Sequence, residues 1–231
     1  MKISVTQEQV AKALNHILKA TAAKPNIPVL ANVLISAKKG RISFSATDLD
    51  VSVTATIGGD VAEEGELTVN ARLLTEFINQ LNSNRVELLQ TGQTLEVKSV
   101  DNHAQLYIIT AEDFPNLPST EDKADLVVNA EELRVAILKT TVACAVDQSR
   151  PILTGVHLES SPKKLSLVGV DGFRLAKKMV TLSKAPEREV EVTVPARSLL
   201  ELSKIISDEA NEKDEVEIHL LSDKNQVLFT V

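Results

Sequence analysis

Apolar positions along this chain switch repeatedly between the two-residue alternation of half-buried strands and the three-to-four spacing of helices. Residues 1–5 alternate like an edge strand. Val10, Ala13, Leu14, Ile17, Leu18 and Thr21 then share one helical face, which predicts a helix over about 7 to 23. Thr6 and Gln9 read as its capping box, each side chain meeting the other's backbone N–H. Lys12, His16 and Lys19 fall on the opposite face, and Lys24 follows just before Pro25. Residues 29–37 and 41–47 read as a hairpin across Lys38-Lys39-Gly40, and 51–57 as a third strand stopped by Gly58-Gly59. A short strand over 67–70 ends at Asn70, which can cap a helix burying Leu73, Leu74, Phe77, Ile78 and Leu81. Strands follow over 86–89, 94–100 and 104–110, then an irregular stretch over 111–118 and a polar linker over 119–125.

From Leu126 onward the same order returns. Asn129 and Glu132 form an N-cap and N3 pair, and Leu133, Ala136, Ile137, Thr140 and Cys144 share the helical face that follows. Pro151-Ile152-Leu153 answers Pro28-Val29-Leu30, and Asp171 answers Asp48, both offset by 123 residues. Val194-Pro195-Ala196-Arg197 answers Val69-Asn70-Ala71-Arg72, with Pro195 at the first helical position. Between them, residues 150–175 read as two strands either side of Ser160-Ser161-Pro162 and then a tight corner at 170–175. A period near 125 residues is too long for a solenoid and fits tandem α+β domains, each with its own core.

Composition narrows the picture. The 231 residues are enough for two domains, 25% are charged, and 3% are aromatic, so the cores must be aliphatic. One cysteine, Cys144, excludes a disulfide framework and fits a reducing compartment, so the reading is cytoplasmic with no membrane segment. A net charge of −7 argues against a simple nucleic-acid binder, unless basic residues are gathered on one surface.

Phosphate-binding glycine loops and the H-E-x-x-H zinc motif are absent. The four histidines stand in unrelated settings, so neither a metal cage nor a Ser-His-Asp triad has support. Asp48, Asp50 and Asp171 are the one carboxylate set a metal-dependent phosphoesterase could use. Asp48 and Asp171 hold equivalent places in the two copies, however. A side chain bonding its own turn explains both without catalysis.

The ordered motifs K-P-x-I-P-V-L, S-A-T-D-L-D, V-N-A-R, D-F-P-N-L-P, S-R-P-I-L-T-G-V, V-D-G-F-R-L-A and V-P-A-R closely resemble the bacterial DNA polymerase III beta subunit, the sliding-clamp family. The resemblance covers the whole chain. It implies tandem clamp domains, each with two helices packed on antiparallel sheets, over residues 1–122 and 123–231. The family's third domain is absent from these residues, and the second copy stops inside a strand. The chain as given is therefore expected to be a monomer or a nonspecific associate that cannot stay linked to circular DNA.

The resemblance also implies a function. It is that of a non-catalytic processivity factor, without metal or cofactor, forming a homodimeric ring around duplex DNA. Its other partners would be the DNA polymerase III core, the clamp loader and repair proteins carrying short clamp-binding motifs. Lys12, Lys19, Lys24, Arg72, Lys139, Arg197 and Lys204 would face the DNA and contact phosphates. Arg150, Leu153, Val170, Gly172, Phe173, Arg174 and Leu175 would line the peptide pocket, with Phe173 where the family often has His or Tyr. Ala104, Leu106 and Ile108 would lie at the subunit contact, with Ala104 where a Phe is common. The remaining readings are the phosphoesterase and a clamp-like scaffold that no longer encircles DNA.

Overall fold

The structure, a computed structural model, describes every residue except 23, 24, 39, 120–122 and 222–224. The chain divides into two compact units, Met1–Leu117 and Pro118–Val231. No helix among the described residues is long and apolar enough to cross a membrane.

The first unit opens with β1 (Lys2–Thr6) and α1 (Gln7–Ile17), followed by β2 (Asn32–Lys38), β3 (Arg41–Thr47), β4 (Ser52–Ile57), β5 (Asp60–Glu63) and β6 (Gly65–Asn70). Helix α2 (Ala71–Gln80) and strands β7 (Arg85–Thr91), β8 (Thr94–Lys98) and β9 (His103–Ile109) complete it. The strands form one sheet in the order β4-β3-β2-β6-β9-β8-β7-β1-β5. Among the described residues its two halves are joined where Thr68 and Val69 of β6 pair with Ile109 and Ile108 of β9. Val10, Leu14 and Ile17 from α1 and Leu74 and Ile78 from α2 close over Ile35, Ile42, Phe44, Leu67 and Leu88. Each such buried side chain stabilises the unit by about 1.5–3 kcal/mol relative to exposure.

The second unit repeats this plan with β10 (Leu126–Asn129), α3 (Ala130–Thr141), β11 (Gly155–Ser160), β12 (Lys164–Val170), β13 (Leu175–Thr181) and β14 (Glu191–Pro195). Helix α4 (Ala196–Glu209), β15 (Glu215–Leu221) and β16 (Gln226–Thr230) follow. Here the strands form two sheets, β10-β15-β16 and β13-β12-β11-β14. Leu133, Ala136 and Ile137 of α3 and Leu199, Leu202 and Ile206 of α4 bury against Val156, Leu158, Leu165, Leu167 and Val180.

Several local expectations are corrected. The first helix stops at Ile17 and tightens into a 3₁₀ turn over Leu18–Ala20, rather than running to residue 23. Thr21 is extended, and its hydroxyl takes the Leu18 carbonyl at 2.7 Å, so the carbonyl no longer calls for another helical turn. The capping box does not close: Thr6 Oγ1 donates to Gln9 Oε1 at 2.9 Å, and no side chain caps a backbone N–H there. His16 is buried rather than on the polar face. Pro28–Ala31 and Pro151–Thr154 are 3₁₀ turns, not the first residues of strands. Pro195 ends β14 as the N-cap of α4, one residue before the helix.

The asparagine caps form as expected. Asn70 Oδ1 accepts from Leu73 N at 3.0 Å, and Asn129 Oδ1 from Glu132 N at 2.9 Å. The Glu132 carboxylate does not return to its cap; it accepts from Thr181 N at 3.3 Å.

Candidate docking turn and helix faces

Strands β12 and β13 are joined by four residues, Asp171 to Arg174, and Val170 faces Leu175 across the ladder. Asp171 organises this turn. Its Oδ1 accepts from Phe173 N at 2.9 Å and Arg174 N at 3.0 Å, and its Oδ2 from Arg174 Nε at 2.8 Å. The N–H of Phe173 first, then that of Arg174 and its guanidinium, hold the Asp171 carboxyl below the usual carboxylate range. Gly172 sits at φ +94°, where a side chain would be strained. The result is a rigid turn that projects Phe173, which is 100% exposed.

The other expected pocket residues arrive from β11's side. The N–H of Leu153 bonds Arg150 O at 3.0 Å, and Leu153 O accepts from Ala145 N at 2.9 Å, which folds residues 145–153 into a closed loop. Because His157 pairs with Val168, the start of β11 lies at the same end of the sheet as the turn. Arg150 is exposed and Leu153 half-buried. Behind them, Cys144 Sγ donates to Gly155 O at 3.3 Å, and burial pushes its thiol pKa up. Ile152, Val146 and Val142 are also exposed at this end of the unit; the apolar spacing alone does not single them out.

Asp48 repeats the device in the first unit. Its Oδ1 accepts from Asp50 N at 3.1 Å and Val51 N at 2.8 Å, and Leu49 takes φ +79° where the second unit has glycine. Asp48 and Asp171 therefore each spend a carboxylate on their own turn. Among the described residues no group of three or more His, Cys, Asp or Glu could hold a metal ion. The phosphoesterase reading has no support in this arrangement.

The basic residues expected to face DNA lie on the helices, except Lys24, which falls outside the described residues. Lys12, Lys19, Lys139 and Arg197 are exposed. Arg72 Nε is held by Glu76 Oε1 at 2.8 Å, and Lys204 Nζ by Glu201 Oε1 at 2.8 Å. Helices α3 and α4 carry Glu131, Glu132, Glu201, Asp208 and Glu209 against Arg134, Lys139, Arg197 and Lys204. Their charge is mixed rather than uniformly basic. On β9, Leu106 and Ile108 pack against the core and Ala104 is half-buried, while Tyr107 on the other face is 86% exposed.

Residues 1–118 match the family described as DNA polymerase III beta subunit, N-terminal domain, and residues 127–231 its central domain. The beta sliding clamp of Synechococcus elongatus is 32% identical over 99% of this chain and 61% of its own length. The crystal structure of the DNA polymerase sliding clamp from Bacillus subtilis superposes with a TM-score of 0.93 at 27% identity, covering 100% of this chain and 62% of that one. The DNA polymerase III subunit beta from Pseudomonas aeruginosa gives a TM-score of 0.88 at 28% identity, again over 100% and 62%. The chain thus spans about three-fifths of the length of the relatives it matches.

Proposed function

The chain belongs to the DNA polymerase III beta subunit family, and from that premise we propose that it serves as a cytoplasmic DNA sliding clamp without catalytic activity of its own. In the complete homodimeric ring, the helix faces bearing Lys12, Lys19, Arg72, Lys139, Arg197 and Lys204, together with Lys24, meet duplex DNA. Cations on exposed helix positions contact phosphates without reading bases, which lets the protein slide. Ala104, Leu106 and Ile108 stand at the subunit contact. Replicative polymerase, clamp loader and other partners dock through short peptides at the second unit's turn.

One observation carries this reading: a large aromatic side chain, Phe173, stands fully exposed on a turn that Asp171 makes rigid. Covering an exposed Phe is worth about 1.5–3 kcal/mol. A rigid turn loses little entropy when a ligand covers it. Val170, Leu175 and Leu153 supply apolar neighbours, and Arg150 and Arg174 frame them with positive charge. A short peptide anchored here by a Leu and a Phe would bind at about micromolar affinity, on the order of −8 kcal/mol. Titration of such a peptide into wild-type protein and a Leu153→Ala, Phe173→Asp, Arg174→Ala triple variant tests the assignment. Binding is expected to disappear in the variant. Equal affinity for the two proteins would overturn the pocket.

A further inference from the structure

The outward face of the β13-β12-β11-β14 sheet continues away from the docking turn. Val180 of β13 and Leu165 and Leu167 of β12 point into the core, so the alternate residues Leu175, Lys177 and Met179 and Val170, Val168 and Ser166 point out. Across the ladder they stand in facing pairs: Val170 with Leu175, Val168 with Lys177, and Ser166 with Met179. Leu175 is 65% and Met179 48% exposed, while Val168 and Val170 are half-buried. This makes an apolar strip that starts at Phe173 and carries one cation, Lys177, midway. At its far end Ser166 Oγ is buried and has no hydrogen-bond partner among the described residues. Buried hydroxyls in sheets are normally satisfied.

We infer that this strip is a second docking segment for the partner peptide that sets its anchors at the turn. The inference rests on the pocket reading given above. Beyond its anchors the peptide runs extended over β12 and β13, seats an apolar side chain between Val168 and Met179, and lays a carboxylate on Lys177. Its main chain gives Ser166 Oγ the missing hydrogen bond when the flexible Met179 side chain turns aside.

The dimensions and surroundings favour an extended peptide over a folded partner. Two strands about 4.8 Å apart present a strip the width of one chain, and Leu175 to Met179 spans about 13 Å, the reach of four extended residues. A stable interface between globular proteins buries roughly 800 Å² on each side. The strip cannot widen to that. Beyond β12 the face turns polar at Glu159 and His157, whose Nε2 lies 3.7 Å from Glu191 Oε1.

Three fluorescent peptides test the proposal. One carries the Leu and Phe anchors alone, and the others add an acidic–leucine–acidic run at the N-terminus or the C-terminus. Each is titrated into the wild-type chain and into the Met179→Asp and Lys177→Glu variants, both changes being at outward-facing positions. One lengthened peptide is expected to bind wild type about tenfold tighter than the anchors alone. Both variants should abolish that gain and leave the anchor peptide's affinity unchanged. A gain that is absent for both lengthened peptides, or that survives both variants, overturns the second segment while the pocket stands. If the anchor peptide itself fails to bind wild type, the pocket falls and the strip falls with it.

Discussion

Gly169 and Gly172 lie three residues apart and are glycine for different physical reasons. At Gly172 a Cβ would meet nothing within 4 Å, but φ is +94°. Gly172→Ala is therefore expected to cost about 1–2 kcal/mol from backbone strain alone. At Gly169 a Cβ would lie 2.2 Å from Thr140 O and 3.0 Å from Cys144 Sγ, so the end of α3 would have to move off β12. Gly169→Ala should cost about 3 kcal/mol. Urea denaturation of the two variants checks the order, and a Gly169→Ala cost no larger than that of Gly172→Ala would contradict the close approach.

Asp171 makes a prediction about pH. Its folded pKa is depressed, so its contribution is full above the unfolded value of about 3.9 and fades as pH falls through the lower folded value. Asp171→Asn should flatten the acid limb of stability against pH below about 4, and it should abolish no enzymatic reaction. The slope will not vanish, because Asp125, Asp147 and Asp214 of the same unit are also held low. Acid limbs that coincide for variant and wild type would contradict the hydrogen bonds to Phe173 and Arg174. The turn role of Asp48 and Asp171 was legible in the sequence because aspartate has a known habit of bonding the backbone two or three residues on. Leu49 at φ +79° was not, since leucine has no turn preference; its N–H is held by Thr47 Oγ1 at 3.0 Å inside the turn that Asp48 closes.

Among elements, alternation located most strands to within about two residues, and Leu133, Ala136, Ile137 and Thr140 of α3 are buried as their spacing predicts. In α2 and at its C-cap the spacing holds for Leu74, Ile78 and Leu81, but Leu73, expected on the buried face, is 54% exposed. What escaped was short or ambiguous. β5 (Asp60–Glu63) is four residues long with a charge at each end, too short to carry an alternation. Pro28–Ala31 and Pro151–Thr154 look like strand starts because a Pro followed by Val, Ile or Leu suits both conformations.

Ion pairing within the helices could not be read as neutralisation from sequence either, and it bears on DNA contact. Exposed pairs of this kind are weak, worth about 0–1 kcal/mol, so phosphate can compete for Arg72 and Lys204. Glu76→Gln and Glu201→Gln should therefore tighten duplex binding and steepen the slope of log K against log salt. Arg197→Ala should reduce that slope by about 0.9, equally for unrelated DNA sequences. A slope unchanged by Arg197→Ala, or an effect confined to one DNA sequence, would place these helices away from the phosphates.

The repeat was the most legible feature of the whole molecule, because turn and cap residues recur at near-constant spacing: β2 starts at Asn32 and β11 at Gly155, 123 residues later. The difference between the units was hidden. The first joins its strands into one sheet through two residue pairs of β9, and the second keeps two sheets. Two pairs leave too small a trace in the hydrophobic pattern to be read. Encirclement is the central claim, and topology tests it directly. The complete ring, placed on nicked circular duplex DNA by a clamp loader, is passed over a gel-filtration column at high salt, where phosphate contacts are screened. It should elute with the circles and separate from the same DNA once linearised. Retention that survives linearisation, or no retention on either form, would contradict a sliding clamp.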